Sequence, residues 1–155
     1  MDSKQNQARN QELTARKANQ SDIDYVVHAN QQIEGARAKL SPEVLQSDVF
    51  CPAPKAHVVV VETEDKPVGM AFYSFTYWAS EGPILWVSQM YIEPEFRGGR
   101  AAKILRGGLS RQATKEGAKH MMWATHSTAD RSNKLWKRIG AKDLSETYSF
   151  WVNPV

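Results

Sequence analysis

Tyr91-Ile92-Glu93-Pro94-Glu95-Phe96-Arg97-Gly98-Gly99-Arg100-Ala101-Ala102-Lys103-Ile104-Leu105 is the stretch whose reading decides the fold. An apolar strand end gives way to a proline turn, then to two glycines ringed by cations, then to a helix with Ala101, Leu105, Leu109 and Ala113 at i+4 spacing and Gly117 beyond it. A glycine pair at a helix start lets backbone approach a ligand closely, and the unpaired N–H groups of the first turn lie at the positive end of the helix dipole. Arg97, Arg100 and Lys103 add formal charge, so the segment reads as a pyrophosphate seat, with a plain glycine turn before a solvated basic helix as the other reading. The spacing is neither GxGxxG nor GxxxxGK[ST], which removes the Rossmann and P-loop readings.

Outward from this loop the chain reads as short alternating elements. A strand is predicted over 13–16, then a helix N-capped by Ser21 with Ile23, Val26, Val27 and Ile33 near one face. Ser41-Pro42-Glu43 opens a second helix, and Cys51-Pro52-Ala53-Pro54 closes it. Three strands, 57–61, 68–78 and 84–92, are separated by Asp65-Lys66-Pro67 and Glu81-Gly82-Pro83, the pattern of a meander. After the glycine helix come a strand over 120–125, a helix over 130–139 ended by Gly140, and a last strand over 148–152. The order predicts an α/β (α+β) domain with a mixed sheet.

At 155 residues, 41% hydrophobic and 24% charged, the chain has the composition of one globular domain, with a polar arm over 1–11 and the domain over 12–155. The single Cys51 excludes an intramolecular disulfide and CxxC metal sites, and no metal is expected. No apolar run approaches the ~20 residues of a membrane span, so no membrane partner and a cytoplasmic location are the expectations. The net charge of +3 is unevenly spread: residues 97–142 hold twelve basic and two acidic side chains, +10 against −7 elsewhere. Such a segment suits a polyanionic partner. A phosphorylated cofactor accounts for it better than nucleic acid, because no helix-turn-helix or RNA-recognition signature is present.

The loop segment resembles the acetyl-CoA pyrophosphate loop of GCN5-related N-acetyltransferases (GNAT), written Arg/Gln-x-x-Gly-x-Gly/Ala. Thr14-Ala15-Arg16-Lys17-Ala18 with Asp22 looks like that family's first strand and helix, and Leu135-Trp136-Lys137-Arg138-Ile139-Gly140-Ala141 like its closing helix. The diamine and polyamine acetyltransferase-like branch is the nearest in pattern, through Leu40-Ser41-Pro42-Glu43-Val44-Leu45 with Phe50, the run from Pro67 to Trp78, Leu85-Trp86 and Arg138-Ile139-Gly140-Ala141-Lys142. The resemblance implies a mostly antiparallel central sheet flanked by helices, with a strand-loop-helix acetyl-CoA site. It implies cofactor contacts from Met90, Tyr91, Ile92, Arg97, Gly98, Gly99, Arg100, Ala101, Ala102, Lys103, Asn133 and Trp136, with backbone amides near 90–92 polarising the thioester. A small-molecule primary amine is the implied acceptor, attacking directly, and a homodimer is the implied assembly. A peptide or protein amine, or CoA binding without catalysis, are the alternatives.

Three departures bear on the chemistry. Arg100 stands where the loop pattern has Gly, a position whose helical backbone tolerates a side chain. Trp136 stands where relatives carry a Tyr, and an indole N–H is no acid, although a thiol of pKa near ~8.5 leaves tolerably without one. Ser88 and Gln89 stand where polyamine-type relatives place carboxylates. An alkylammonium of pKa near ~10.4 is about one part in a thousand neutral at pH 7.4, so its proton needs a destination. Ser88 and Gln89 can order a water, while His126, Glu34 and Glu81 are the candidate bases. His28, His57 and a buried Cys51 read as structural, and the aromatic residues between Phe72 and Tyr91 as packing, with a ring or two left to wall an acceptor pocket.

Overall fold

A computed structural model describes residues 11–125 and 128–149. They fall into two compact units divided after Trp123. In the first, β1 (Thr14–Lys17), β2 (His57–Glu62), β3 (Pro67–Trp78), β4 (Gly82–Ile92) and β5 (His120–Trp123) form one sheet in chain order. The first four strands pair antiparallel, and β5 runs parallel to β4. Helices α1 (Ile23–Glu34) and α2 (Pro42–Asp48) cover one face, and α3 (Ala101–Lys115) covers the other. The mixed, mostly antiparallel sheet expected from the sequence is present.

The unbroken apolar run of β2 follows from burial on both faces. Val59 and Val61 pack toward α3 with Leu85, Leu105 and Leu109, whereas Val58 and Val60 pack toward α1 and α2 with Val26, Leu45 and Met70. Ser41 caps α2, its Oγ accepting the Val44 N–H at 3.3 Å, with Pro42 at the first helical position as predicted. The earlier cap differs from the expectation. Asn19, not Ser21, ends the extended chain, and its side chain accepts the Ser21 N–H at 2.8 Å while Asp22 accepts the Asn19 N–H at 2.8 Å. A 3-10 turn over Gln20–Asp22 thus precedes α1, and Ser21 lies inside it.

Helix α3 lies close against β1 and β2 because Gly108 has no side chain: a Cβ there would stand 2.8 Å from Val59 Cγ1 and 3.0 Å from Ala15 Cβ. Arg111 fastens the same contact by donating to Ala15 O at 2.7 Å. At Gly107 a Cβ would meet nothing nearer than Arg111 Nη1 at 3.9 Å. Gly107→Ala is therefore expected to stabilise the chain by about 0.5–1 kcal/mol through helix propensity. Gly108→Ala is expected to cost about 1–3 kcal/mol through overpacking. Thermal melts of the two variants should move in opposite directions.

The second unit contains α4 (Asp130–Arg138), which ends one residue earlier than predicted. Tyr148 and Ser149 belong to no strand, and the remainder of the expected last strand lies outside the described residues, as does the arm over 1–10. Cys51 is half-buried rather than buried, because it sits in bends after α2 and not in the core.

Candidate active site

Two sections of β4 set the site. Phe72 of β3 faces Gln89 and Tyr73 faces Val87, so Ser88 is an extra residue, a β-bulge whose Oγ donates to Phe72 O at 3.2 Å. Pairing of β4 with β5 covers only Ile84 to Val87, against His120 to Trp123. Residues 88–92 therefore have no partner on that side among the described residues. The Glu93 N–H donates to Val68 O at 2.9 Å, toward β3. Since successive backbone groups of a strand point to opposite sides, the N–H groups of Met90 and Ile92 face the unpaired edge.

The loop beyond β4 matches the reading of a strand, a glycine turn and a helix. A 3-10 turn over Pro94–Phe96 buries Phe96 and leads to Arg97 in an extended conformation. Gly98 follows at φ +74°, which a β-branched or bulky side chain would adopt only with strain. Arg100 has φ −78° and ψ −18°, so its helical backbone accommodates the side chain, as expected. Ile104 makes the first helical bond, to Arg100 O at 3.0 Å, which leaves the amides of Ala101, Ala102 and Lys103 ahead of the helical ladder. The Ala101 side chain is buried, so only its backbone is available to a ligand. Arg97 is committed locally: its Nε donates to Ile92 O at 2.8 Å and its guanidinium lies 5.5 Å from the Tyr91 ring centre. Arg100 and Lys103 are exposed beside the free amides. Helix dipole, amides and two cations together fit a pyrophosphate.

On the α1 side of the bulge is an open cleft of about 250 Å³ lined by Asn30, Leu40, Phe72, Ser88 and Gln89. Gln89 Nε2 donates to Glu34 Oε1 at 3.0 Å, and Asn30 Nδ2 donates to Gln89 Oε1 at 3.1 Å. This chain has one consistent orientation. A carboxylate only accepts, so the Gln89 amino group faces Glu34, its carbonyl faces Asn30, and Asn30 must donate. Asn30 Oδ1 is left buried without a partner, on a residue 4% exposed. Glu34 Oε2 lies 3.6 Å from Arg37 Nη2. Farther along the same face, Glu93 accepts from Tyr91 at 3.1 Å and lies 3.3 Å from His28 Nε2. Burial, and then the neighbouring Glu93, pushes the Tyr25 and Tyr91 hydroxyls up from their usual range.

Of the sequence-derived candidates, Ser88, Gln89 and Glu34 come together at this cleft, next to Met90 and Ile92 on the strand. Glu81 does not join them. It lies in the turn before β4, 3.3 Å from His120 Nε2, and the strand rise puts it roughly 20 Å from Ser88. His126 lies outside the described residues. Asn133 and Trp136 lie on α4 in the second unit, where Thr125 Oγ1 and Asn133 Oδ1 are 2.6 Å apart. His57 is packed against Tyr73 and Phe75 with its charged form disfavoured by burial, a structural role. Asn30 and Arg37 were not singled out from sequence. Asn30 carried a signal: with Glu34 it continues the i+4 row of the buried Val26, placing a polar amide on an apolar face.

Over residues 25–141 the chain matches the acetyltransferase (GNAT) family, and it belongs to that family. It is 30% identical over 119 residues to the thialysine N-epsilon-acetyltransferase of Bos taurus, covering 71% of this chain and 69% of that protein. The Sus scrofa protein of the same name is 29% identical over the same shares. Among solved structures, the aminoglycoside acetyltransferase AAC(6')-Iy in complex with a CoA bisubstrate analogue superposes with a TM-score of 0.75 at 18% identity, covering 93% of this chain and 99% of that one. A ribosomal-protein-alanine N-acetyltransferase from Brucella melitensis biovar Abortus 2308 gives 0.71 at 16% identity, covering 92% and 99%. These two likenesses concern the fold.

Proposed function

We propose that the chain transfers the acetyl group of acetyl-CoA to the primary amine of a small molecule by direct attack. The observation that carries this reading is the adjacency of two features on β4. The strand edge with the free Met90 and Ile92 amides begins at the bulge, and the cleft with its hydrogen-bond acceptors opens at the same bulge. The amides of 101–103, with Arg100 and Lys103, hold the pyrophosphate. Met90 and Ile92 N–H groups stabilise the charge that develops on the thioester oxygen. The amine enters the cleft, its nitrogen bonds to the acetyl carbon, the C–S bond breaks, and the ammonium proton passes to Glu34 through a water ordered by Ser88 Oγ and Gln89. The thiolate leaves unaided, so Trp136 has no proton to supply.

The names of the relatives, which act on thialysine or on aminoglycosides, support an amine acceptor without naming this one. The test is calorimetric titration of acetyl-CoA together with free-thiol release against a panel of amines. Micromolar binding with amine-dependent release is the expected result. Binding without release across the panel would reassign the chain as a CoA-binding module.

A further inference from the structure

The cleft has an ordered charge pattern that restricts the acceptor further, and the inference rests on the amine-acetylation reading above. The residues lining it present amide, hydroxyl and apolar groups and no formal charge. The one carboxylate tied to it by a hydrogen bond is Glu34, which is held through Gln89. At the rim, residues 35–40 read Gly-Ala-Arg-Ala-Lys-Leu, in which the charged side chains are both basic and both residues are exposed, while Leu40 lines the cleft itself. Arg37 stands 3.6 Å from Glu34, an ion pair too long for a hydrogen bond, with its side chain 83% exposed. Its five N–H donors leave room for a second anion alongside Glu34.

We infer that Arg37 is a specificity-determining residue that reads a carboxylate on the acceptor, so that the acceptor is a terminal amine with an acidic group at its other end rather than a polyamine. An ammonium whose nitrogen lies at Gln89 and whose stem passes between Leu40 and Phe72 leads its far end to Arg37 and Lys39. A second ammonium there meets two cations and no carboxylate beyond the Glu34 already paired with Arg37, whereas a carboxylate gains a charge-assisted, bidentate partner. The selection acts on acceptor binding and leaves the acetyl-transfer chemistry to the β4 groups.

The test compares aminopentanoate, pentylamine and diaminopentane as acceptors for the wild-type chain, Arg37→Ala and Arg37→Glu. The wild type should rank them in that order by kcat/KM. Arg37→Ala should lower kcat/KM for aminopentanoate about fivefold, mainly through KM, and leave pentylamine within about twofold, the scale of an exposed charge pair. Arg37→Glu should place diaminopentane above aminopentanoate. A ranking that neither variant changes overturns the inference while the function stands. A wild-type chain that acetylates none of the three, nor any amine of the wider panel, overturns the functional reading itself and the inference with it.

Discussion

Arg16→Met is expected to cost about 2–3 kcal/mol of stability, roughly 5–10 °C in a thermal melt for a chain of this size. The guanidinium joins three pieces of chain: it donates to Asp22 at 2.7 and 3.0 Å and to Glu62 at 2.8 and 2.7 Å, tying β1 to the turn before α1 and to β2. Asp22 is only 2% exposed, so losing Arg16 leaves a buried carboxylate without its cation. The figure lies below the full cost of a broken buried pair because the Arg16 side chain is itself 35% exposed to solvent. Burial alone would push the Asp22 carboxyl up, but hydrogen bonds from Arg16 and the Asn19 amide, with the charge of Arg16, hold it below the usual range. A depressed carboxyl contributes stability above its unfolded pKa, near ~4, and that contribution is lost as pH falls through the folded value. In the variant burial is unopposed by Arg16, and protonating Asp22 relieves the strain. The difference between wild type and variant in urea unfolding should therefore be largest near neutral pH and shrink toward pH ~3.5. An equal difference at both pH values would place the effect in packing of the Arg16 stem instead.

The elements that were legible in the sequence are those fixed by local chemistry. Pro42 after Ser41 allows one helix start, the turns at 65–67 and 81–83 admit little but a meander, and the both-face burial of β2 left an apolar run of strand length. Where two residues were equally able to perform a role, the sequence did not choose. Asn19 and Ser21 are both good caps, and the capping box of Asn19 with Asp22 decided between them. The bulge at Ser88 left no mark, because one extra residue in a strand changes register and not composition. That register is what turns Gln89 toward Asn30 and Glu34, so the acceptor cleft was legible only in part. Ser88, Gln89 and Glu34 were identified separately, whereas the hydrogen-bond chain that unites them depends on α1 lying across β4 at one angle. Glu81 shows the converse. Its proximity to β4 in sequence suggested the site, but a strand carries its two ends apart.

Glu34→Gln is expected to lower kcat/KM about a hundredfold, the lower end of what a positioned base contributes, with acetyl-CoA affinity unchanged. The substitution is close to isosteric. A glutamine carbonyl can still accept the Gln89 Nε2 hydrogen, so the chain through Gln89 to Asn30 keeps its form while the proton acceptor is lost. Glu34 is partly exposed and its side chain reaches Arg37 at 3.6 Å, so folding should be nearly unaffected and a melt within a degree or two of the wild type is the control. Glu34→Ala separates base from scaffold. If the carboxylate receives the amine proton, added formate should restore part of the rate of the alanine variant and little of the glutamine variant, where the amide fills the space. A purely structural Glu34 gives no such rescue, because formate does not rebuild the tether between α1 and β4. Full activity in Glu34→Gln would mean that the amine sheds its proton directly to solvent through the open mouth of the cleft, and that Glu34 serves only to fix the rotamer of Gln89.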